Sequence, residues 1–212
     1  GDAKSVLEKL NNDKGFQLVK SLADAYYAKI APTYSEIDLK NSALQRTYMK
    51  AIVELFPNDR IFPDANSTLR VTYGQVKGYA PQDAIYYEPI TYLDGVMEKY
   101  IPGDYEFDVP QKLIDLYNKK DYGSYAQNGK LPVCFIATNH TTGGNSGSPA
   151  IDAKGNLIGL NFDRVWEGTM SDIYYSPDIC RNIMVDIRYV LFIIDKYANA
   201  QNIISELKLV KK

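Results

Sequence analysis

The run Thr141-Thr142-Gly143-Gly144-Asn145-Ser146-Gly147-Ser148-Pro149 holds the residue types and spacing best suited to chemistry in this 212-residue chain. A serine hydroxyl set among glycines can attack an acyl carbon. The tetrahedral state of that attack carries negative charge on the former carbonyl oxygen. Two main-chain N–H groups aimed at one point would stabilise it, and losing one such donor typically costs about 2.7–4 kcal/mol. Glycines let the backbone turn tightly enough to aim them. Ser146 is the candidate nucleophile, and the N–H groups of Gly144 and Ser146 are the candidate oxyanion hole. Two other readings compete. One is a plain Gly/Ser turn between strands. The other is a non-catalytic main-chain nest at residues 141–149 that holds a carboxylate or phosphate.

The flanking elements narrow the choice. The apolar run Leu131-Pro132-Val133-Cys134-Phe135-Ile136-Ala137 predicts a buried strand before the loop. After it, Asp152-Ala153-Lys154-Gly155-Asn156 supplies turn chemistry ahead of a strand over Leu157-Ile158-Gly159-Leu160-Asn161-Phe162. A dinucleotide fingerprint or a P-loop needs a strand followed by a helix, and the P-loop also needs a Lys. The nucleophile elbow of α/β-hydrolases needs a helix after its Ser. Strand, loop and hairpin together suit the serine loop of a chymotrypsin-type peptidase, with Asn145 where Asp is common. Such a serine needs a base within hydrogen-bond reach, itself oriented by a third group. His140, the one histidine, stands six residues before Ser146. A His so near in sequence more often braces the loop, so the base is expected elsewhere, and the chain reads as part of a larger protein.

Three zones must position this loop. Residues 2–56 predict helices: Leu18, Val19, Leu22 and Ala25 recur at helical spacing, as do Leu44, Met49, Ile52 and Leu55. Pro32 punctuates them and Pro57-Asn58-Asp59 ends the last. Residues 66–175 predict mainly strands, beginning with the alternating Ser67–Gly74 and interrupted by a helix from Gln111 to Lys119. From Asp178 the spacing of Ile179, Ile183, Ile187, Leu191 and Ile194 predicts one long helix. Composition is that of an ordinary globular chain: 45% hydrophobic, 24% charged, 24 Lys+Arg against 26 Asp+Glu, net −2. That balance gives no nucleic-acid footprint, and no apolar run is long enough to span a membrane. One His and two Cys leave too few ligands for a structural zinc site, and no metal or other cofactor is expected. Cys134 reads as a buried free thiol.

The segments Phe62-Pro63-Asp64-Ala65-Asn66-Ser67-Thr68-Leu69-Arg70-Val71-Thr72-Tyr73-Gly74, Leu93-Asp94-Gly95-Val96, Thr138–Pro149 and Gly159-Leu160-Asn161-Phe162-Asp163-Arg164 together resemble the C-terminal part of the bacterial dipeptidyl-peptidase 7 and 11 family. The resemblance covers about residues 60–200. It implies a secreted or periplasmic serine exopeptidase that releases dipeptides from peptide N-termini. It implies an α+β chain: the second antiparallel barrel of a chymotrypsin-like double barrel, flanked by the end of an inserted helical domain and a C-terminal helix. The expected divisions are 1–60, 61–176 and 177–212. The catalytic His and Asp would lie in a missing N-terminal part, which becomes a partner alongside peptide substrates. A homodimer is possible on this reading, and this chain alone is expected to be nearly inactive.

Asp163 and Arg164 follow Ser146 by seventeen and eighteen residues. In a chymotrypsin-like barrel the strand at that distance walls the primary specificity pocket. A guanidinium there offers a planar, permanently charged fork to a carboxylate. Arg164 would therefore select Asp or Glu before the cut bond, as in the dipeptidyl-peptidase 11 type. The alternative for Arg164 is a surface ion pair with Glu167 or Asp163. The resemblance gives Asp163 the substrate's free α-ammonium; otherwise it caps a turn. Trp166 fits either a pocket wall or the core, with core the expectation, and Asp152 reads as a turn former. Met170-Ser171-Asp172-Ile173 matches the family without evident chemistry.

Overall fold

A computed structural model describes residues 2–59, 61, 63 and 66–210. Phe62, Asp64 and Ala65 of the family motif, and Lys211 and Lys212, lie outside the described residues. The chain forms two compact units, Gly1–Thr68 and Leu69–Lys212.

The first unit is helical: α1 (Ala3–Asn12), α2 (Lys14–Ala25) and α3 (Ala31–Leu55), with a π-helical turn at Tyr26–Ile30. Asp2 caps α1 by accepting the Lys4 N–H at 3.3 Å, and Asp13 caps α2 through the Phe16 N–H at 2.7 Å. Pro32 sits in the first turn of α3, directly after the π-helical turn, where the helical hydrogen-bond spacing changes. The helical spacing does not produce a core within this unit, since none of these helices has a buried residue. Leu18, Val19, Leu22 and Leu44 are 61–70% exposed.

The second unit is built on antiparallel strands. The hairpin β1 (Tyr79–Gln82) and β2 (Ile85–Tyr87) stands apart from a five-stranded sheet. That sheet contains β3 (Ile90–Tyr92), β4 (Pro132–Ala137), β5 (Pro149–Ile151), β6 (Leu157–Arg164) and β7 (Asn182–Asp186), in the order β3-β4-β7-β6-β5. Among the described residues the ladder is open, with β3 and β5 as its edges. Ser67–Gly74, despite its alternation, forms no strand, and pairing there begins with the isolated bridge between Val76 and Ala137.

The largest departure from the sequence reading is β7. Its residues Asn182-Ile183-Met184-Val185-Asp186 alternate between buried and partly exposed and pair with β4 on one side and β6 on the other. Ile183 and Val185 are β-branched and suit that central position. The helix begins only at Ile187, where Asp186 accepts the Arg188 N–H at 2.9 Å and starts α6 (Ile187–Phe192). A π-helical turn (Ile193–Tyr197) and α7 (Gln201–Glu206) follow.

The main core lies where α4 (Leu93–Lys99), α5 (Gln111–Lys119) and α6 meet β4. It contains Leu93, Val109, Leu113, Tyr122, Tyr125, Leu131 and Phe192. A smaller cluster of Phe135, Ala137 and Met184 joins β4 to β7. Arg181 is only 3% exposed. Its Nε donates to the Lys77 carbonyl at 3.0 Å, Nη1 to those of Pro177 and Cys180 at 2.8 and 2.7 Å, and Nη2 to those of Gly78 and Asp178 at 3.0 and 3.3 Å. Cys134 and Cys180 are free thiols, and burial pushes the Cys134 thiol up.

Asp152 organises the β5–β6 turn, as expected of a turn former. Its Oδ1 accepts the N–H groups of Lys154 and Asn156 at 2.8 and 2.9 Å, and its Oδ2 accepts from Asn156 Nδ2 at 2.9 Å. The Asn156 bonds hold its carboxyl below the usual aspartate range.

Two outcomes follow from this architecture. Phe192→Ala, at a fully buried site between the rings of Tyr122 and Tyr189, should cost about 3–5 kcal/mol in urea denaturation. The Asp152 bonds favour the ionised form, so their stabilisation is present above the unfolded pKa and is lost as pH falls through the lower folded one. The Asn156 amide signal, followed by NMR, should titrate with a midpoint below the ordinary value of about 3.9. A midpoint at or above that value would refute the turn geometry.

Candidate active site

The loop between β4 and β5 is shaped by two glycines in the left-handed region, Gly144 at φ +88° and Gly147 at φ +83°. A Cβ would meet no atom at either position. The requirement for glycine is therefore conformational, since an L-residue there is strained by about 1–2 kcal/mol. Between them Asn145 closes the loop on itself. Its Oδ1 accepts the Thr142 N–H at 3.3 Å, its own N–H donates to the Thr142 carbonyl at 3.3 Å, and its carbonyl accepts the Ser148 N–H at 3.0 Å.

Strand β6 holds the far side of the loop. The Gly147 N–H donates to the Asn161 carbonyl at 2.7 Å, and the Asn161 N–H donates to the Ser148 carbonyl at 2.9 Å. The Asn161 side chain adds a third tie, Nδ2 to the Asn145 carbonyl at 3.2 Å. Its Oδ1 accepts from Nδ2 of Asn182 on β7 at 2.8 Å. Asn161 and Asn182 are 7% and 1% exposed, and Asn182 Oδ1 is buried without a hydrogen-bond partner. The sequence reading missed this amide relay. A polar residue at an inward position of an otherwise apolar strand was the available signal for Asn161; Asn182 was masked by the expected helix.

Ser146 lies at the crest of the loop, exposed, with its hydroxyl donating to the Phe162 carbonyl at 3.3 Å. Phe162 is the extra residue of a β-bulge, because Asn161 pairs with Met184 and Asp163 with Ile183. Bulges free a backbone group from the ladder and re-aim a strand. Among the described residues, neither the Gly144 N–H nor the Ser146 N–H has a protein acceptor. A hydroxyl and two uncommitted amides thus share one exposed turn.

His140 turns elsewhere. Its Nε2 lies 2.9 Å from the Ser171 carbonyl, and its ring packs at 4.8 Å against Tyr175. A carbonyl only accepts, so Nε2 carries the proton and donates it. A nitrogen so engaged cannot take a proton from Ser146.

At the end of β6, Asp163 is exposed and its Oδ1 accepts the Arg164 N–H at 2.8 Å. The Arg164 side chain is 18% exposed. Its Nη1 donates to Ser171 Oγ at 2.8 Å and pairs with Asp172 Oδ1 at 3.0 Å. Neither of the expected alternative ion-pair partners takes it. Glu167 accepts from the Tyr79 hydroxyl at 2.6 Å, and burial with that bond pushes the Tyr79 phenol well above its usual range. Trp166, expected in the core, is 85% exposed. It lines an open groove of about 490 Å³ with Tyr79, Tyr86 and Tyr87. No cluster of three or more His, Cys, Asp or Glu residues placed to hold a metal occurs among the described residues. No described helix is long and apolar enough to cross a membrane.

This arrangement can be set beside known proteins. The peptidase S46 family model matches residues 1–209. The chain belongs to the peptidase S46 family. It is 76% identical over 210 residues, 99% of its length, to the Asp/Glu-specific dipeptidyl-peptidase of Flavobacterium psychrophilum. It is 46% identical over 191 residues, 90% of its length, to the dipeptidyl-peptidase 7 of Phocaeicola vulgatus, covering 26% of that protein. The crystal structure of Porphyromonas endodontalis DPP11 with the dipeptide Arg-Asp superposes with a TM-score of 0.86 at 42% identity, over 98% of this chain and 31% of the other. The chain spans about 30% of the length of its Flavobacterium relative.

The relay makes a direct demand on stability. Asn161→Ala would leave Asn182 Nδ2 and the Asn145 carbonyl without their side-chain partner, a loss of about 1–3 kcal/mol. Urea denaturation should show it, together with faster amide hydrogen exchange at residues 145–148. Unchanged exchange there would separate the relay from the loop.

Proposed function

We propose that this chain is the nucleophile-bearing segment of an S46 dipeptidyl-peptidase that releases N-terminal dipeptides with Asp or Glu at the second position. The carrying observation is the turn at Gly144–Gly147: an exposed hydroxyl and two uncommitted main-chain amides, fixed to the strand that ends in Arg164. The relatives named Asp/Glu-specific dipeptidyl-peptidase, and the Arg-Asp dipeptide in the P. endodontalis structure, support the substrate class.

In this reading Ser146 Oγ attacks the carbonyl carbon of the second substrate residue. The hydroxyl proton passes to a base outside this chain and then to the leaving amine. The resulting acyl ester is cleaved by water, releasing the dipeptide acid. The N–H groups of Gly144 and Ser146 receive the developing oxyanion. Arg164 takes the substrate's acidic side chain, and the exposed carboxylate of Asp163 takes its α-ammonium. The open sheet is then part of the second barrel of a chymotrypsin-like double barrel. The base and the remaining barrel belong to a preceding part of the protein, which would act in the periplasm or outside the cell. The same free amides also suit a non-catalytic anion nest, and labelling separates the two readings.

In the full-length S46 protein, a fluorophosphonate should label Ser146, and Ser146→Ala should abolish both label and turnover. Absence of label under conditions that mark a control serine peptidase would favour the nest. Arg164→Ala should lower kcat/KM by roughly 30–100-fold for dipeptide substrates with Asp or Glu at the second position, the worth of a lost charge-assisted pair. Substrates with Leu there should change by a few-fold at most. Equal losses would overturn the pocket assignment.

A further inference from the structure

Ser171 is 6% exposed and engaged on both of its polar sides. Its hydroxyl oxygen accepts from Arg164 Nη1 at 2.8 Å, and its carbonyl accepts from His140 Nε2 at 2.9 Å. It stands near the end of a 3₁₀ turn, Trp166–Asp172, whose last residue adds Oδ1 at 3.0 Å from the same Nη1. The His140 ring is in turn packed against Tyr175, whose hydroxyl donates to the Thr138 carbonyl at 2.6 Å. The segment entering the nucleophile loop, the 3₁₀ turn and the tip of β6 therefore meet at Ser171.

The distribution of donors on that guanidinium matters. Among the described residues, Nη1 donates one hydrogen bond, to Ser171, and pairs with the Asp172 carboxylate, while Nε and Nη2 have no acceptor. Nε–H and one Nη2–H lie parallel on one edge of the fork and can bind a carboxylate through two hydrogen bonds. A flexible Arg would have to order several side-chain torsions on meeting its ligand, and fixing Nη1 beforehand removes part of that cost. Asp172, at 3.0 Å from Nη1, supplies the counter-charge that lets the guanidinium sit largely out of water.

We propose that Ser171, held by His140, is a positioning residue for Arg164 and thereby a determinant of the preference for acidic substrates. This rests on Arg164 being the acid selector. It gives the Met170-Ser171-Asp172 segment a physical role: the backbone and hydroxyl of one buried serine tie the specificity fork to the segment that enters the nucleophile loop.

The test uses full-length enzyme and paired dipeptide substrates differing only in Asp or Leu at the second position. Ser171→Ala removes one oxygen from a small side chain. It should lower kcat/KM for the Asp substrate by roughly 5–10-fold, somewhat less than a charge-assisted hydrogen bond contributes, because Asp172 still pairs with the same nitrogen. The loss should fall mainly in KM, with the Leu substrate within about twofold. Ser171→Thr, which keeps the hydroxyl, should restore the Asp substrate. An equal loss on both substrates, or a loss that Thr does not restore, would make Ser171 merely structural and overturn the proposal. So would an unchanged Asp/Leu ratio in Ser171→Ala while Arg164→Ala collapses it. An Asp/Leu ratio unaffected by Arg164→Ala would instead overturn the pocket reading itself.

Discussion

The site depends on one main-chain hydrogen bond, from the Gly147 N–H to the Asn161 carbonyl at 2.7 Å. A loop with two left-handed glycines has little intrinsic preference for a single shape, because glycine populates both signs of φ freely. Its conformation must be imposed from outside. That bond, the return bond from Asn161 to the Ser148 carbonyl and the Asn161 amide to the Asn145 carbonyl impose it from β6. Asn182 then ties β6 to the centre of the sheet. Rigidity thus passes from β7, paired on both sides, to a turn where Ser146 stays exposed. The unpaired Asn182 Oδ1 marks where this buried polar network is incomplete.

Local patterns in the sequence revealed the loop and its hairpin, but not the strand that supports them. The β4 and β6 runs are apolar, flanked by turn residues, and were legible as strands. β7 was not. Ile183 and Ile187 stand four apart and mimic a helical stripe, yet they lie on either side of Asp186, which ends the strand and caps the helix. Pairing with both β4 and β6 overrides the local period. Ser67–Gly74 shows the reverse error, since alternation makes a strand only where a partner edge is present. Ser146, Asp163 and Arg164 could be singled out by type and spacing. Ser171 and Asn182 could not, because their roles are contacts with residues 7 and 21 positions away.

The helical unit shows the same dependence on packing. Its caps and spacing specify helices, but spacing alone does not bury the apolar stripe. Helices of 10 and 12 residues such as α1 and α2 draw most of their stability from packing against a partner. The stripe is exposed in a chain that spans about 30% of the length of its Flavobacterium relative.

The two arginines around the 3₁₀ turn show how one side chain type is put to different uses. Arg181 spends all five N–H donors on backbone carbonyls, and its guanidinium lies 5.4 Å from the centre of the Tyr79 ring. A saturated, buried guanidinium has nothing left for a ligand, and it locks residues 177–181 to the chain at 77–78. Arg164 is held at Nη1 alone. It combines low exposure, which strengthens a charge-assisted hydrogen bond, with an edge that has no acceptor among the described residues. Selectivity for an acid needs both features. A fully solvated guanidinium pairs weakly, and a saturated one does not pair at all. The difference in hydrogen-bond saturation, more than the shared charge, is what makes Arg164 the better candidate for recognising an acidic side chain.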